Sequence, residues 1–328
     1  MWGHAVARRT ERARLLAAAA ATLLAGAAQA QPAPLTVCVA ADNPPLSHLV
    51  AGQPRGLDVR IAQAAASALG RPLKVVAFET SYEKESTLTH EVAALLAAGV
   101  CDAVSGFPLV TGEFGEPTRP TARTPDYPGA KRRRDRPFIP LQAMAPSRGY
   151  IGSALGAVLP AGAPPLDRLT DLGERKLGTV AGTVGGAVAM GWKFGALRSK
   201  VVSLNQRENP LDELARLPVG NAPVGNAPPA APRFDAVLTP LALFDGWRVQ
   251  HPGANLVAAG WRRSLGVNLG FVTLASDGTV RPALDAVISR GRDDGSLARW
   301  ATEEGATWVP PEVPDVGRGP SMLQLVAE

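Results

Sequence analysis

The chain has 328 residues, with 34 Lys and Arg against 29 Asp and Glu, and a net charge of +5. Its first thirty residues hold four arginines and one glutamate, three of those five charges, so the remaining 298 residues carry only +2. That small excess gives no reason to invoke nucleic acid, and 298 residues are enough for two domains.

The amino-terminal stretch reads as an export leader. Arg8, Arg9, Arg12 and Arg14 form a basic head, residues 15–28 an Ala- and Leu-rich apolar run, and Ala28-Gln29-Ala30 a small-residue cleavage site before Gln31. The run is about 14 residues, short of the roughly 20 that span a bilayer. A signal peptide over 1–30 and a periplasmic location are expected. The two cysteines, Cys38 and Cys101, both follow the leader. An even count in an exported chain suggests a disulfide, with two buried thiols as the alternative.

In chain order, 35–41 reads as a strand ending in the turn-rich Asp42-Asn43-Pro44-Pro45. A helix follows over 57–69, with Leu57, Ile61, Ala65 and Leu69 at helical spacing and Gly70 closing it. Asp58 reads as the cap of that helix. Residues 73–78 read as a second strand, Ser86 as the cap of a second helix ending at Gly99, and 101–106 as a third strand. This alternation marks a parallel sheet with helices on its faces.

Residues 107–149 are a long Pro- and Gly-punctuated loop containing the basic run Lys131, Arg132, Arg133, Arg134 and Arg136, read as solvated. A strand over 150–159 leads to a second α/β unit: a short helix at 166–169, strands at 176–180, 201–204 and 234–238, and a short helix at 210–217. The glycine-rich turn 181–186 opens a further helix. Val219-Gly-Asn-Ala-Pro223 repeats at once as 224–228, the pattern of a tolerated surface insertion. A strand over 265–274 returns to the first unit, helices follow at 281–289 and 296–303, and an irregular tail begins near Trp308.

Five stretches in order resemble family 3 extracellular solute-binding proteins, the type II periplasmic binding fold. They are Leu35 to Leu46; Gly56-Leu57-Asp58-Val59; Ala97 to Val104; Leu169 to Leu172 with Leu177 to Thr183; and Asp235-Ala236-Val237 with Asp294-Gly295-Ser296-Leu297. The resemblance implies two lobes, each a mostly parallel sheet flanked by helices. Lobe 1 would comprise 31–153 and 268–314, lobe 2 154–267, and 315–328 an irregular tail, with hinge segments near 151–159 and 262–272. It implies a monomer that delivers a small-molecule solute to an ABC-type permease, without a cofactor and without catalysis. In this fold the first and third strands are neighbours, which joins Cys38 to Cys101. Those cysteines with Gly106-Phe107-Pro108 also resemble a quinoprotein-dehydrogenase-associated subgroup. An accessory role beside a periplasmic alcohol dehydrogenase is one alternative, and a lyase or hydrolase on the same fold another.

The cleft of such a fold lies at the carboxyl ends of its strands. That selects Asp42, Asn43, Ser47, Ser105, Gly106 and Phe107 on lobe 1, and Gly182, Thr183 and Thr239 on lobe 2. Asp42 and Asn43 could equally be turn formers. The amides of 181–186 suit an anion, so a small polar or anionic solute is expected. No Arg follows the third strand at the spacing of amino-acid binders; Arg119 and Arg123 could substitute only if the loop folds back. Thr239 stands where those binders place an ammonium-holding Asp. Tight binding of an α-amino acid is therefore not expected. His48, His90 and His251 are too scattered for a metal, and Glu79, Glu83 and Glu85 read as a solvated acidic loop.

Overall fold

The structure, a computed structural model, describes residues 32–80, 87–216 and 231–327. The leader, Glu83, Glu85, the Ser86 cap and the duplicated 219–228 lie outside the described residues. The chain divides into Met1–Ala33 and Pro34–Glu328, and the architecture below belongs to the second.

Strand β1 (Leu35–Ala40) runs parallel to β5 (Leu73–Phe78) and to β6 (Ala103–Pro108). Between β1 and β5 a three-stranded ribbon, β2 (Asp42–Asn43), β3 (Ser47–Val50) and β4 (Gln53–Arg55), precedes helix α1 (Leu57–Ala68). Helix α1 buries Leu57, Ile61 and Ala65 of the stripe read from the sequence, with Ala62 beside them, while Leu69 is only partly buried. Helix α2 (Leu88–Ala97) joins β5 to β6; its cap is Thr87, whose hydroxyl accepts from the His90 amide, so the expected Ser86 is displaced by one residue.

Cys38 and Cys101 form a disulfide, closing a loop of 63 residues. Cys101 stands just before β6, not within it as expected, because the Asp102 carboxylate accepts from the Thr36 amide and delays the strand to Ala103.

The long loop 107–149 is built around one buried guanidinium. Arg136 donates to the carbonyls of Lys131 and Thr124 and to the Asp126 carboxylate, while Arg133 pairs with the buried Glu91. Of the basic run only Lys131, Arg132 and Arg134 are the exposed charges expected. Strands β7 (Thr121–Ala122) and β8 (Ile139–Pro140) pair with each other, and β9 (Met144–Pro146) joins the main sheet.

Two long antiparallel strands cross from the first lobe to the second: β10 (Ile151–Pro160) and β14 (Leu256–Leu274). In lobe 2, β11 (Leu177–Val180) runs parallel to β12 (Val201–Leu204) and to β13 (Ala236–Pro240). Helices α3 (Val184–Gly195), α4 (Pro210–Leu214) and α5 (Leu241–Gln250) cover it. The sheet order is β12-β11-β13-β10-β14-β6-β1-β5. Separate apolar cores lie on each side of the crossing: Tyr150 and Phe271 pack with Leu35, Leu57 and Ile61, whereas Leu177, Leu166, Val188 and Leu238 pack with Leu155 and Leu159. The fold class is thus the expected two-lobed α/β arrangement.

Helices α6 (Val280–Asp293) and α7 (Ser296–Glu303) return to lobe 1. The chain after them is not wholly irregular. It runs along the crossing strands, where Asn268 Nδ2 donates to the carbonyls of Glu312 and Asp315 and Gly152 N donates to Val309. It then ends in α8 (Met322–Val326), capped by Ser321, with Leu325 buried in the lobe 2 core against α3. The tail is therefore a third crossing between the lobes.

Candidate functional site

Two cavities open at the carboxyl ends of the parallel strands, where an open α/β sheet leaves backbone groups free for a ligand. The first, about 530 Å³, belongs to lobe 1 and is lined by Asp42, Asn43, Phe78, Glu79, Thr80, Leu88, Ser105 and Gly106 among others. The second, about 610 Å³, lies between lobes: Asp42, Asn43 and Pro44 face Thr183, Gln206, Thr239, Leu243 and Gln250. Asp42 and Asn43 line both and join them into one cleft. Each volume suits a small molecule. Across the cleft Pro44 touches α5 so closely that a Cβ on Gly246 would sit 2.8 Å from the Pro44 carbonyl oxygen.

The floor of the lobe 1 cavity rests on a buried carboxylate. Asp58 is fully buried and accepts from Ser105 Oγ at 2.7 Å and from the Tyr150 hydroxyl at 2.6 Å. It is not the cap that the sequence suggested: the residue before the helix, Gly56, offers no side chain, and Asp58 points inward to tie α1, β6 and the start of β10 together. Burial raises its pKa to about 6, with the two hydrogen bonds acting in the opposite direction. Burial and the neighbouring Asp58 hold Tyr150 well above its ordinary value. Gly106 has φ +69°, and a Cβ there would lie 3.3 Å from Asp58 Oδ2, so glycine keeps this corner open.

Of the nine residues expected to bind a ligand, Asp42, Asn43, Ser105, Gly106, Phe107, Thr183 and Thr239 line the cleft. Phe107 does so only marginally, being 1 % exposed and packed against Phe114. Ser47 lines neither cavity: the β2–β3 pairing with Asn43 turns it inward, and it is fully buried with its hydroxyl unpartnered among the described residues. Gly182 stands behind Gln206 and also lines neither. The Thr183 hydroxyl is committed to its own helix, donating to the Val180 carbonyl at 2.7 Å and accepting from the Gly186 amide.

Arg119 and Arg123 do not reach the cleft. Arg123 donates to the Arg136 carbonyl and stacks over Phe138, and Arg119 lies near His90 on the outer side of α2. No Lys, Arg or His lines either cavity among the described residues. No group of three His, Cys, Asp or Glu among them is placed to hold a metal ion.

The sequence reading missed Thr80, Gln206, Leu243 and Gln250 as cleft residues. Thr80 and Gln206 each follow a strand's carboxyl end, the same rule that picked out Asn43. Leu243 and Gln250 sit on α5, which no reading of 241–250 anticipated.

This architecture is the two-lobed type II periplasmic binding fold. Similar solved structures include the second substrate-binding domain of GlnP from Lactococcus lactis in an open conformation. That match has 12% identity, covers 86% of this chain and 98% of that one, and has a TM-score of 0.57. The second substrate-binding domain of a putative amino acid ABC transporter from Streptococcus pneumoniae matches at 12% identity, 83% and 99% coverage and a TM-score of 0.55. The unliganded, open L-cystine solute receptor of Neisseria gonorrhoeae matches at 16% identity, 84% and 94% coverage and 0.53. At these identities the likeness is one of fold. No family model and no curated protein matches the sequence.

Proposed function

We propose that this chain is a solute-binding protein that takes a small polar molecule into the interlobe cleft and presents it to an ABC-type permease. The observation that carries the reading is the cleft itself, in which Asp42 and Asn43 of one lobe face Thr183, Gln206 and Thr239 of the other across crossing strands. The neighbours described above as substrate-binding domains and a solute receptor support it, as does the leader, which would place the protein in the periplasm. It acts as a monomer by binding and not by catalysis: the one cleft-floor carboxyl with a raised pKa, Asp58, is buried with its oxygens engaged by Ser105 and Tyr150. The accessory reading, a partner of a quinoprotein dehydrogenase, rests on the first-lobe cysteines and Gly106-Phe107-Pro108, and the open cleft favours a solute.

The solute is not an α-amino acid held in the usual manner, because no guanidinium among the described residues reaches the cleft to hold a carboxylate. No cation among the described residues lines the cleft, which gives an anionic solute no support there. Small molecules released on denaturing the purified protein, identified by mass spectrometry, test the reading. One compound at near-equimolar yield is expected. An empty inventory, together with no thermal shift across a broad library of solutes, would count against solute binding.

A further inference from the structure

Resting on the solute-binding reading, we infer that the cleft selects a protonated alkylamine without a carboxylate, from the balance of charges and hydrogen-bonding groups on its walls.

Among the described residues three lining side chains are charged, and all are acidic: Asp42, Glu79 and Glu208. Glu208 is neutralised by Arg233 at 2.6 Å and accepts a hydrogen bond from the Asn205 amide. Asp42 and Glu79 are different. Both are exposed, and neither carboxylate bonds to any described residue. They stand just past the ends of neighbouring parallel strands, where the Ala41 amide donates to the Phe78 carbonyl, so both charges look onto one cavity. Arg136 is itself engaged by the carboxylate of Asp126, the residue that pairs through its backbone with Glu79. Two carboxylates with no partner among the described residues, lining one concave site, favour a cation more strongly than they would on an open surface.

The hydroxyls give an independent indication. Ser105 spends its proton on Asp58, and Thr183 spends its proton on the Val180 carbonyl. Each therefore presents only lone pairs to a ligand, as do the two carboxylates. These four groups only accept, the complement of an ammonium group, which is all donor; the amides of Asn43 and Gln206 beside them can donate or accept. Between these polar groups the walls offer apolar surface at Leu88 in lobe 1 and at Leu243, 63 % exposed, in lobe 2. That surface suits a short alkyl chain. With no three-ligand metal set among the described residues, the cation is organic rather than a bare divalent ion.

The test is calorimetric titration of the full protein with 1,4-diaminobutane and n-butylamine, against butyrate and butan-1-ol as anionic and neutral counterparts. At least one amine should bind with a Kd below about 100 μM, an affinity that weakens as salt is raised. Butyrate and butanol should bind at least tenfold more weakly. Asp42→Asn with Glu79→Gln should cost the amine tenfold or more, while circular dichroism melts match the parent because both residues are exposed. Butyrate or butanol binding as well as the amines overturns the inference, as does amine binding that the double variant leaves intact, or no amine binding at all. A neutral or anionic compound in the released inventory would also overturn the amine class and leave the solute-binding reading standing. Only an inventory and a library screen that are both empty would remove that reading.

Discussion

Asp58 shows how a local rule fails when the deciding partner is distant. An aspartate in the first turn of a helix reads as a cap, and the sequence offers no other signal. Its real partners, Ser105 and Tyr150, lie 47 and 92 residues away and become visible only once the sheet is assembled. Ser47 fails similarly, since the short β2–β3 pairing that buries it leaves little trace in the pattern Asp-Asn-Pro-Pro-Leu-Ser. The buried carboxylate also carries a pH signature. Its folded pKa of about 6 lies above the ordinary 3.8, so the folded state holds the proton more tightly than the unfolded one. The stability this contributes is fully present below about pH 4 and is lost as pH rises through 6. A shift of this size corresponds to on the order of 3 kcal/mol. Asp58→Asn should therefore flatten the dependence of the thermal unfolding midpoint between pH 4 and 7 relative to the parent. Parallel curves for the two proteins would show that Asp58 does not titrate in that window.

Elements with strong periodicity or a clear alternation were legible: β1, α1, β5, β12 and α7 fall within a residue or so of their expected spans. Those that were missed lack such signals. Helix α5 begins directly after Pro240 with no side-chain cap and carries Gly246 in its middle. The outer half of β14 reads Ala-Ala-Gly-Trp-Arg-Arg, which has no apolar run, because that half lies with alternate residues exposed. The short α8 did leave a trace: Ser321 and Gln324 form a capping box, and that spacing marks a helix start. The disulfide belongs at this scale because it pins the start of β6 to β1. Cys38→Ser with Cys101→Ser should lower stability by about 2–4 kcal/mol in denaturant unfolding, and the unreduced parent should show no free thiol when denatured. Two titratable thiols in that preparation would contradict the bond.

At the scale of the whole molecule, the two-lobed plan was legible because strand and helix signals alternate in two blocks separated by 150–159. The cleft was legible only in part. Its lobe 1 wall follows from strand ends, whereas its lobe 2 wall depends on α5. Helix α5 also anchors the lobes to each other, with Asp245 accepting from the Thr307 amide and hydroxyl and Arg248 donating to the Gly305 carbonyl.

The third crossing has a practical consequence. Because α8 docks on lobe 2 while β1 begins in lobe 1, positions near the two ends of this unit ride on different lobes. The protein thus has a built-in ruler: dyes at positions 34 and 327 would report the separation of the lobes without any label in the cleft. If ligand uptake closes the cleft as hinged binding proteins do, energy transfer between them should change on adding a solute recovered from the protein and return when it is dialysed away. An unchanged signal on saturation would mean that this protein binds without moving its lobes.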